Sequence, residues 1–400
     1  MVDEILHLST EARYTRGVIA YIDELKNADL SQETAVVRTG FDIKRGENLY
    51  RLTETIETIN FLRKRGAKVV MISHRGRPRG DEQKYSLAPF IAFLEEKLHT
   101  EVYFFSQLRF KKIRRAVANE KPGSVFLLEN LRFLPGEQKN DRALAKQLAS
   151  LGTFFVNEAF SVSHRDASSL VAITQYLPSF GGLLLKREIE NLSRVSKKQK
   201  KPFVVVLGGT KITDKIDLLQ RFIKTTDRIL VGGAAANAFL VLFGVLLGPS
   251  YIEKDALPIA SKLISSPYGK KIVVPVDWKR DQNGAIKDIG EKSIRLFSTH
   301  IAKARTIIWN GPMGRLEDPQ FRKGSLRVAR AIARSRAFSV VGGGETAEFS
   351  ASLGLQNKFE FLSTGGGAML QYLGGNHLPG LIALEKSYAK SRNFISRKLS

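Results

Sequence analysis

Short runs of β-branched, aliphatic and aromatic residues recur along the chain, each followed by a stretch whose apolar residues return at helical spacing between charges. The runs predict strands at Ala35–Arg38, Lys68–Ser73, Val102–Phe105, Val125–Glu129 and Phe154–Asn157 in the first half. In the second half they predict strands at Phe203–Leu207, Arg228–Val231, Lys271–Val276, Thr306–Trp309 and Phe338–Val341. Near-continuous apolar runs of this length suit strands buried on both faces, as in parallel sheets covered by helices. Strand and helix patterns alternating from end to end predict an α/β chain. Between the two series lies LLLKREIENLSRV, where Leu185, Ile189, Leu192 and Ser196 follow helical spacing. The predicted architecture is therefore two doubly wound, mainly parallel-sheet (Rossmann-like) domains, residues 1–183 and 200–375. A helix over 184–199 joins them, with a ligand cleft between the two.

One stretch tests the alternative of a membrane span. Residues 229–252 carry no charge and are long enough to cross a bilayer. Gly232-Gly233, Asn237, Gly244, Gly248 and Pro249 break the stretch, however, into a strand, a glycine turn, a buried helix from Ala234 to about Phe243, and a loop. No membrane association is expected. The N-terminus has acids at Asp3 and Glu4 and no apolar core of signal-peptide length. The chain has no cysteine, which removes disulfides, thiolate metal sites and cysteine nucleophiles, and fits a reducing compartment. A cytoplasmic location is expected. The formal charge of +24 over 400 residues is unusual. It fits first a basic solvated surface, and also anionic partners such as phosphorylated metabolites, nucleic acid or an anionic membrane face. Runs such as Lys197–Lys201 and Lys111–Arg115 read as helix ends or loops. No aromatic-plus-basic recognition motif points to nucleic acid.

In open α/β sheets, ligands gather outside the carboxyl ends of the strands. The two halves of the chain differ there. In the second half the strand ends carry glycine: Gly208-Gly209, Gly232-Gly233, Gly311 and Gly314, Gly342-Gly343-Gly344, and Gly365-Gly366-Gly367. Glycine lets backbone amides approach phosphate closely, and a following helix N-terminus adds a favourable dipole. No G-x-x-x-x-G-K-[ST] segment is present, so a P-loop enzyme is excluded. In the first half the strand ends carry cations: Arg38, then His74, Arg75 and Arg77, then Arg132, then His164-Arg165. Arginine's planar fork suits bidentate capture of carboxylate or phosphate. One half reads as a nucleotide site and the other as a site for a small, multiply charged anion, which is the layout of a transferase.

The motifs SHRGRP (Ser73–Pro78), KYSLAP (Lys84–Pro89), LENLRF (Leu128–Phe133), LGGTKITDK (Leu207–Lys215), WNGPMG (Trp309–Gly314), VVGGGET (Val340–Thr346) and STGGGA (Ser363–Ala368) resemble the phosphoglycerate kinase family in order and spacing. The resemblance covers about residues 34–384. It implies reversible phosphoryl transfer between 1,3-bisphosphoglycerate and ADP, giving 3-phosphoglycerate and ATP, by a glycolytic kinase that works as a monomer with Mg2+. The other reading of the same motifs is a diverged nucleotide-binding paralogue with a lost or altered acceptor.

The resemblance also implies a set of site residues. Arg51 matches the arginine at the transferred phosphoryl group. His74, Arg77, Arg132 and Arg165, with Arg38 and Asp42 beside them, match the basic patch that holds 3-phosphoglycerate. Lys211 and Lys215 match the lysines at the phosphoryl group. Gly232, Asn310, Pro312 and Glu317 match nucleotide contacts. Gly342, Gly343, Gly344 and Thr346 match the phosphate-binding helix start, and Glu345 the magnesium-associated acid. Arg51, Lys215, Gly343 and Gly344 are the expected catalytic set. The last segment, 376–400, is expected to return to the first domain. The chain departs from the usual family pattern at Gly40, where an acid is usual, and at Asp42, where an amide is usual. Ala167 replaces a second histidine, Glu345 an aspartate, and the loop Asp277–Asp288 is short.

Overall fold

The computed structural model describes residues 17–43, 49–80 and 82–400. They form two compact units, one of residues 17–189 with His377–Ser400, the other Glu190–Asn376.

The first unit is built on six parallel strands, β1 (Thr34–Arg38), β2 (Lys68–Ile72), β3 (Val102–Phe105), β4 (Val125–Leu128), β5 (Phe154–Asn157) and β6 (Ser179–Gly181), in the order β3-β4-β2-β1-β5-β6. β1, β4 and β5 are buried almost throughout, as their unbroken apolar runs require. The order reverses between β1 and β5, where Arg38 pairs with Asn157 in register. β6 is missing from the sequence-based expectation: a three-residue Ser-Phe-Gly strand carries no periodicity to read. The helix Pro379–Leu399 covers this edge. Ser391 Oγ accepts the Ser179 amide at 3.0 Å and donates to its carbonyl at 2.8 Å, and Phe394 packs against Phe154 and Phe180.

The second unit has β7 (Phe203–Leu207), β8 (Arg228–Val231), β9 (Ile272–Val273), β10 (Trp278–Arg280), β11 (Ile286–Ile289), β12 (Thr306–Asn310), β13 (Phe338–Gly342) and β14 (Phe361–Leu362). Six of these form a parallel sheet in the order β14-β13-β12-β7-β8-β9, reversing between β7 and β12. β10 and β11 form a separate antiparallel pair, so the expected loop at 277–288 is a hairpin closed through Asp281 and Gly284. The predicted strand Lys271–Val276 shrinks to two residues because a 3-10 turn occupies Gly269–Lys271. The run Lys111–Arg115 lies inside the helix Phe110–Asn119, with Ile113 and Val117 buried and the cations on the outer face.

The expected joining helix runs Leu183–Lys197, and the two units divide within it. Its buried line is Leu185, Glu188, Leu192 and Val195 rather than one through Ile189 and Ser196. A stripe read at i, i+4 and one read at i, i+3 differ by one position, and the charge on Glu188 disguised the true one. The N-terminus of this helix is capped by Glu158, which accepts the amides of Leu184 and Leu185 at 2.9 and 3.3 Å and the Thr58 hydroxyl. Among the described residues no helix is long and apolar enough to cross a membrane.

Candidate functional site

In the first unit, the loops after β2 and β4 meet around two buried polar side chains. Glu129 accepts the Ser86 hydroxyl at 2.6 Å and the amides of Leu87 and Asn130. Asn130 accepts the Arg75 and Arg132 amides and donates to the carbonyls of Arg75 and Tyr85. These bonds tie SHRGRP, KYSLAP and LENLRF into one platform, which explains why a Glu-Asn pair follows the strand. Arg75 belongs to that platform: it donates to the carbonyls of Ile43 and Ser86 and lies over the Phe90 ring, so it braces the loops rather than facing a ligand.

On this platform Arg38, His74, Arg132 and Arg165 line a recess of about 100 Å³ at the carboxyl ends of the strands, beside the β1–β5 reversal. Arg38 is fully buried and held from behind: it donates to Ser169 Oγ at 2.8 Å, and Ser169 Oγ donates to Glu137 Oε1 at 2.6 Å. Burial lowers the Arg38 pKa to about 10 against the opposing pull of Glu137, and burial likewise lowers Arg132 to about 10. Both stay charged at neutral pH. His74 differs. Burial pushes its pKa down to about 3, so the ring is neutral. Arg38 can only donate, so it donates to His74 Nδ1, which leaves the ring proton on Nε2, 3.7 Å from Asp42.

Asp42 turns its carboxylate towards His74 and the amide of Gly76, the latter at 2.8 Å. Burial alone would raise its pKa. The His74 contact, the Gly76 amide and the charge on Arg132 outweigh that and hold it well below the ordinary carboxylate range. Arg51, on the short helix Tyr50–Thr53, donates to the Asp42 carbonyl at 3.0 Å. A Cβ on Gly40 would meet Arg51 Cδ at 3.5 Å and Ser161 Oγ at 3.4 Å, ordinary contacts that leave room for a side chain. Arg77 is exposed and does not line the recess, although its charge is felt at Arg132.

In the second unit, strand-end loops close on one another. Gly208 and Gly209 donate to the carbonyls of Asn310 and Pro312, and Gly233 to that of Met313. Gly311 has φ +90°, and a Cβ there would come within 2.3 Å of the Gly208 carbonyl oxygen, so only glycine allows this approach. Asn310 Nδ2 donates to Gly342, and Thr346 Oγ1 accepts the Gly311 amide at 3.0 Å. The Asn310 and Thr346 side chains thus knit the loops together. Gly343, with φ +107°, opens the helix Gly344–Ser352, whose first turn carries Glu345.

These loops wall a pocket of about 300 Å³ lined by Gly209, Gly233, Pro312, Glu317 and Glu345. Gly232 lies just outside it, packed against Met313. Sequence reasoning missed the opposite wall, which includes Trp278 from the hairpin, Leu240, Tyr251 and Asn237. The apolar and aromatic faces suit a flat ring. Asn237 leaves its Oδ1 buried with no donor. Lys215 is only 5% exposed and donates to the Lys211 carbonyl at 2.8 Å, beside Gly209. Burial lowers its pKa, opposed by Asp214, Glu253 and Glu345. The Lys211 side chain is exposed. Glu253 fixes the turn that carries both lysines by accepting the Ile212 and Thr213 amides and the Thr213 hydroxyl. Among the described residues no group of three or more histidine or acidic side chains is placed to hold a metal ion.

Comparison with known proteins identifies the family of the chain. The family described as phosphoglycerate kinase matches residues 25–376. The phosphoglycerate kinase of Dictyoglomus turgidum is 38% identical over 387 residues, covering 90% of this chain and 98% of its own. That of Thermosipho africanus is 39% identical over 389 residues, covering 90% and 97%. The crystal structure of phosphoglycerate kinase from Pyrococcus horikoshii superposes with a TM-score of 0.85 at 31% identity, over 93% of this chain and all of that one. The Coxiella burnetii enzyme superposes at 0.75 with 31% identity, over 92% and 99%. The chain belongs to the phosphoglycerate kinase family.

Proposed function

We propose that the chain catalyses reversible phosphoryl transfer between 1,3-bisphosphoglycerate and ADP, giving 3-phosphoglycerate and ATP. The observation that carries the reading is the occurrence, in one chain of this family, of two unlike recesses at strand carboxyl ends. One is lined by three arginines and a neutral histidine, the other by glycine loops and an aromatic wall with a buried lysine at its edge.

In the ATP-consuming direction the nucleophile is the carboxylate of 3-phosphoglycerate, already ionised at neutral pH, so no general base is needed. Its oxygen forms the new bond to the γ-phosphorus while the bond from that phosphorus to the β-phosphate oxygen breaks, and ADP leaves with the electron pair. The protein's task is positioning and neutralisation of charge on the phosphoryl oxygens. Arg38, Arg132 and Arg165, with Arg77 at the rim, hold the acceptor; His74 and Asp42 set the shape of that recess. Pro312 and Glu317 frame the nucleotide, with Gly232 and Asn310 at the strand ends that support them. The amides of Gly342, Gly343 and Gly344 at the start of the helix with Thr346, together with Lys211, face its phosphates. Arg51 and Lys215 meet the charge that develops on the moving group.

Magnesium is usually held by one or two carboxylates plus substrate phosphates. Glu345, on the pocket wall in the first turn of the helix Gly344–Ser352, fits that pattern, so Mg2+ would arrive with ATP or ADP and be held by their phosphates and Glu345. Bound there, it would neutralise charge across the β- and γ-phosphates. Transfer requires the two ligands to meet, and bending at the helix Leu183–Lys197 is the proposed means. A cytoplasmic monomer completes the reading, supported by the cysteine-free composition and the family's glycolytic substrates. A coupled assay of ATP consumption tests the proposal: turnover should saturate with 3-phosphoglycerate and require Mg2+. ATP consumption that ignores 3-phosphoglycerate would overturn it.

A further inference from the structure

The second unit carries another recess, of about 470 Å³, at the opposite end of its sheet from the nucleotide pocket. Its floor is formed where β12 and β13 begin, at Thr306 and Phe338. β12 ends at Asn310 beside the glycine loops, so the two sites are separated by roughly 13 Å of strand. Five cations converge on this recess, Arg194 in the last turn of the joining helix, Lys198 and Lys200 just after it, and Arg305 and Arg336 just before the two strands. One carboxylate, Glu360, stands among them.

The recess is organised as well as charged. The Arg194 guanidinium, though 61% exposed, lies over the Phe338 ring at 4.1 Å with Glu360 3.7 Å from one of its nitrogens, contacts that favour this orientation of its planar fork. Thr306 Oγ1 accepts the Lys200 amide at 3.0 Å and donates to the Lys200 carbonyl at 2.8 Å, which fixes the start of the chain segment after the helix. Like charges gathered on a concave surface repel one another, and one acid cannot balance five cations. A bound polyanion relieves that repulsion, and the concave walls lower the effective dielectric in which it is felt.

We infer that this recess is a binding site for a small anion carrying three or more phosphate groups, separate from the nucleotide and acceptor sites. A single phosphate can engage one or two of the five cations; a short chain of phosphates can reach across helix end and strand starts together. The volume suits such a molecule, and the two-sided placement of the cations, on the helix and on the sheet, favours a compact ligand over one that merely tracks along the surface.

The test uses the full-length protein, titrated calorimetrically with inorganic tripolyphosphate, orthophosphate and a single-stranded 20-nucleotide DNA. In the parent, tripolyphosphate should occupy one site that weakens at least tenfold in Arg305→Ala/Arg336→Ala and at least threefold in Arg194→Ala. Orthophosphate should bind that site at least tenfold more weakly than tripolyphosphate, and added salt should weaken both. ATP consumption and ADP affinity should be unchanged in these variants, which distinguishes loss of this site from loss of the nucleotide site. Tripolyphosphate binding that survives the double variant, or is absent in the parent, overturns the inference. So does equal binding of orthophosphate, or DNA binding at the same residues more tightly than tripolyphosphate.

Discussion

The carboxylate of Asp42 accepts the amide of Gly76 at 2.8 Å, while Arg51 is bonded to the carbonyl of the same residue rather than to its charge. The negative charge beyond the carboxyl end of β1 is therefore turned towards the loop that carries His74 and Arg77, beside the recess proposed for the acceptor. Asp42→Asn keeps an oxygen for the Gly76 amide and removes the charge. The expected result is a KM for 3-phosphoglycerate about three- to tenfold lower, worth about 1 kcal/mol, with KM for ATP unchanged. A KM that stays level or rises would show that the charge does not reach the acceptor.

Lys215 is buried and close to the glycine loops. If it meets charge that develops only during transfer, Lys215→Ala should lower kcat about a hundred- to thousandfold, or about 3–4 kcal/mol, and leave the ADP dissociation constant within about twofold. The variant should melt no lower than the parent, because a desolvated cation has been removed. Near-normal turnover in the folded variant would refute the assignment.

Glu253 touches neither recess wall through its carboxylate but holds the amides of Ile212 and Thr213. It is a positioning residue for the turn that ends in Lys215. Glu253→Ala should lower kcat by about tenfold, and Glu253→Gln, which keeps an acceptor oxygen, should recover most of it. Equal activity of the alanine and glutamine variants would argue that the turn holds its shape without this carboxylate.

Burial raises the Glu158 pKa to about 7, against the hydrogen bonds of Thr58, Leu184 and Leu185. The folded protein then binds a proton that the unfolded chain has released, so this carboxyl favours the fold most at pH values below the usual glutamate range. That contribution is lost as pH rises from about 4.5 to about 7, a change of about 3 kcal/mol at most. Glu158→Gln should flatten the fall in unfolding free energy across this window, measured by urea denaturation at several pH values. A slope identical to that of the parent would mean the group titrates normally.

Of the chain's two tryptophans, Trp309 is fully buried and Trp278 lines the pocket proposed for the nucleotide. ADP should therefore change the fluorescence of one tryptophan only. Trp278→Phe should abolish the ADP-dependent signal while preserving binding measured by calorimetry. A signal that persists in the variant would place the nucleotide elsewhere.

The strand ends were legible because unbroken apolar runs such as Phe203–Leu207 stop at glycine or arginine, and chemistry placed at those stops is brought together by a parallel sheet. Arg38, His74, Arg132 and Arg165 come from four separate segments and still line one recess. What supports them was not legible. Glu137 and Ser169 back Arg38 from a 3-10 turn and a loop, and nothing in their local sequence marks an acid as buried. Arg75 reads like its neighbours in the sequence, yet its side chain is consumed by carbonyls. Trp278 in the aromatic wall comes from a hairpin whose strands are too short and too charged to show alternation. Periodicity reports which face is apolar, and these residues act through the polar atoms that periodicity leaves out.

The helix Pro379–Leu399, which closes over β6, has a consequence for how the protein is made. During synthesis on the ribosome, residues through Gly181 emerge long before the segment that seals their sheet edge. Until the segment His377–Ser400 has emerged, Phe154 and Phe180 lack their partner Phe394, and the Ser179 backbone lacks Ser391. The intervening unit, Glu190–Asn376, draws on no later residue for its sheet and can consolidate while translation continues. The half translated first is thus the half completed last, and its uncovered edge is the surface that chaperones or premature termination would meet.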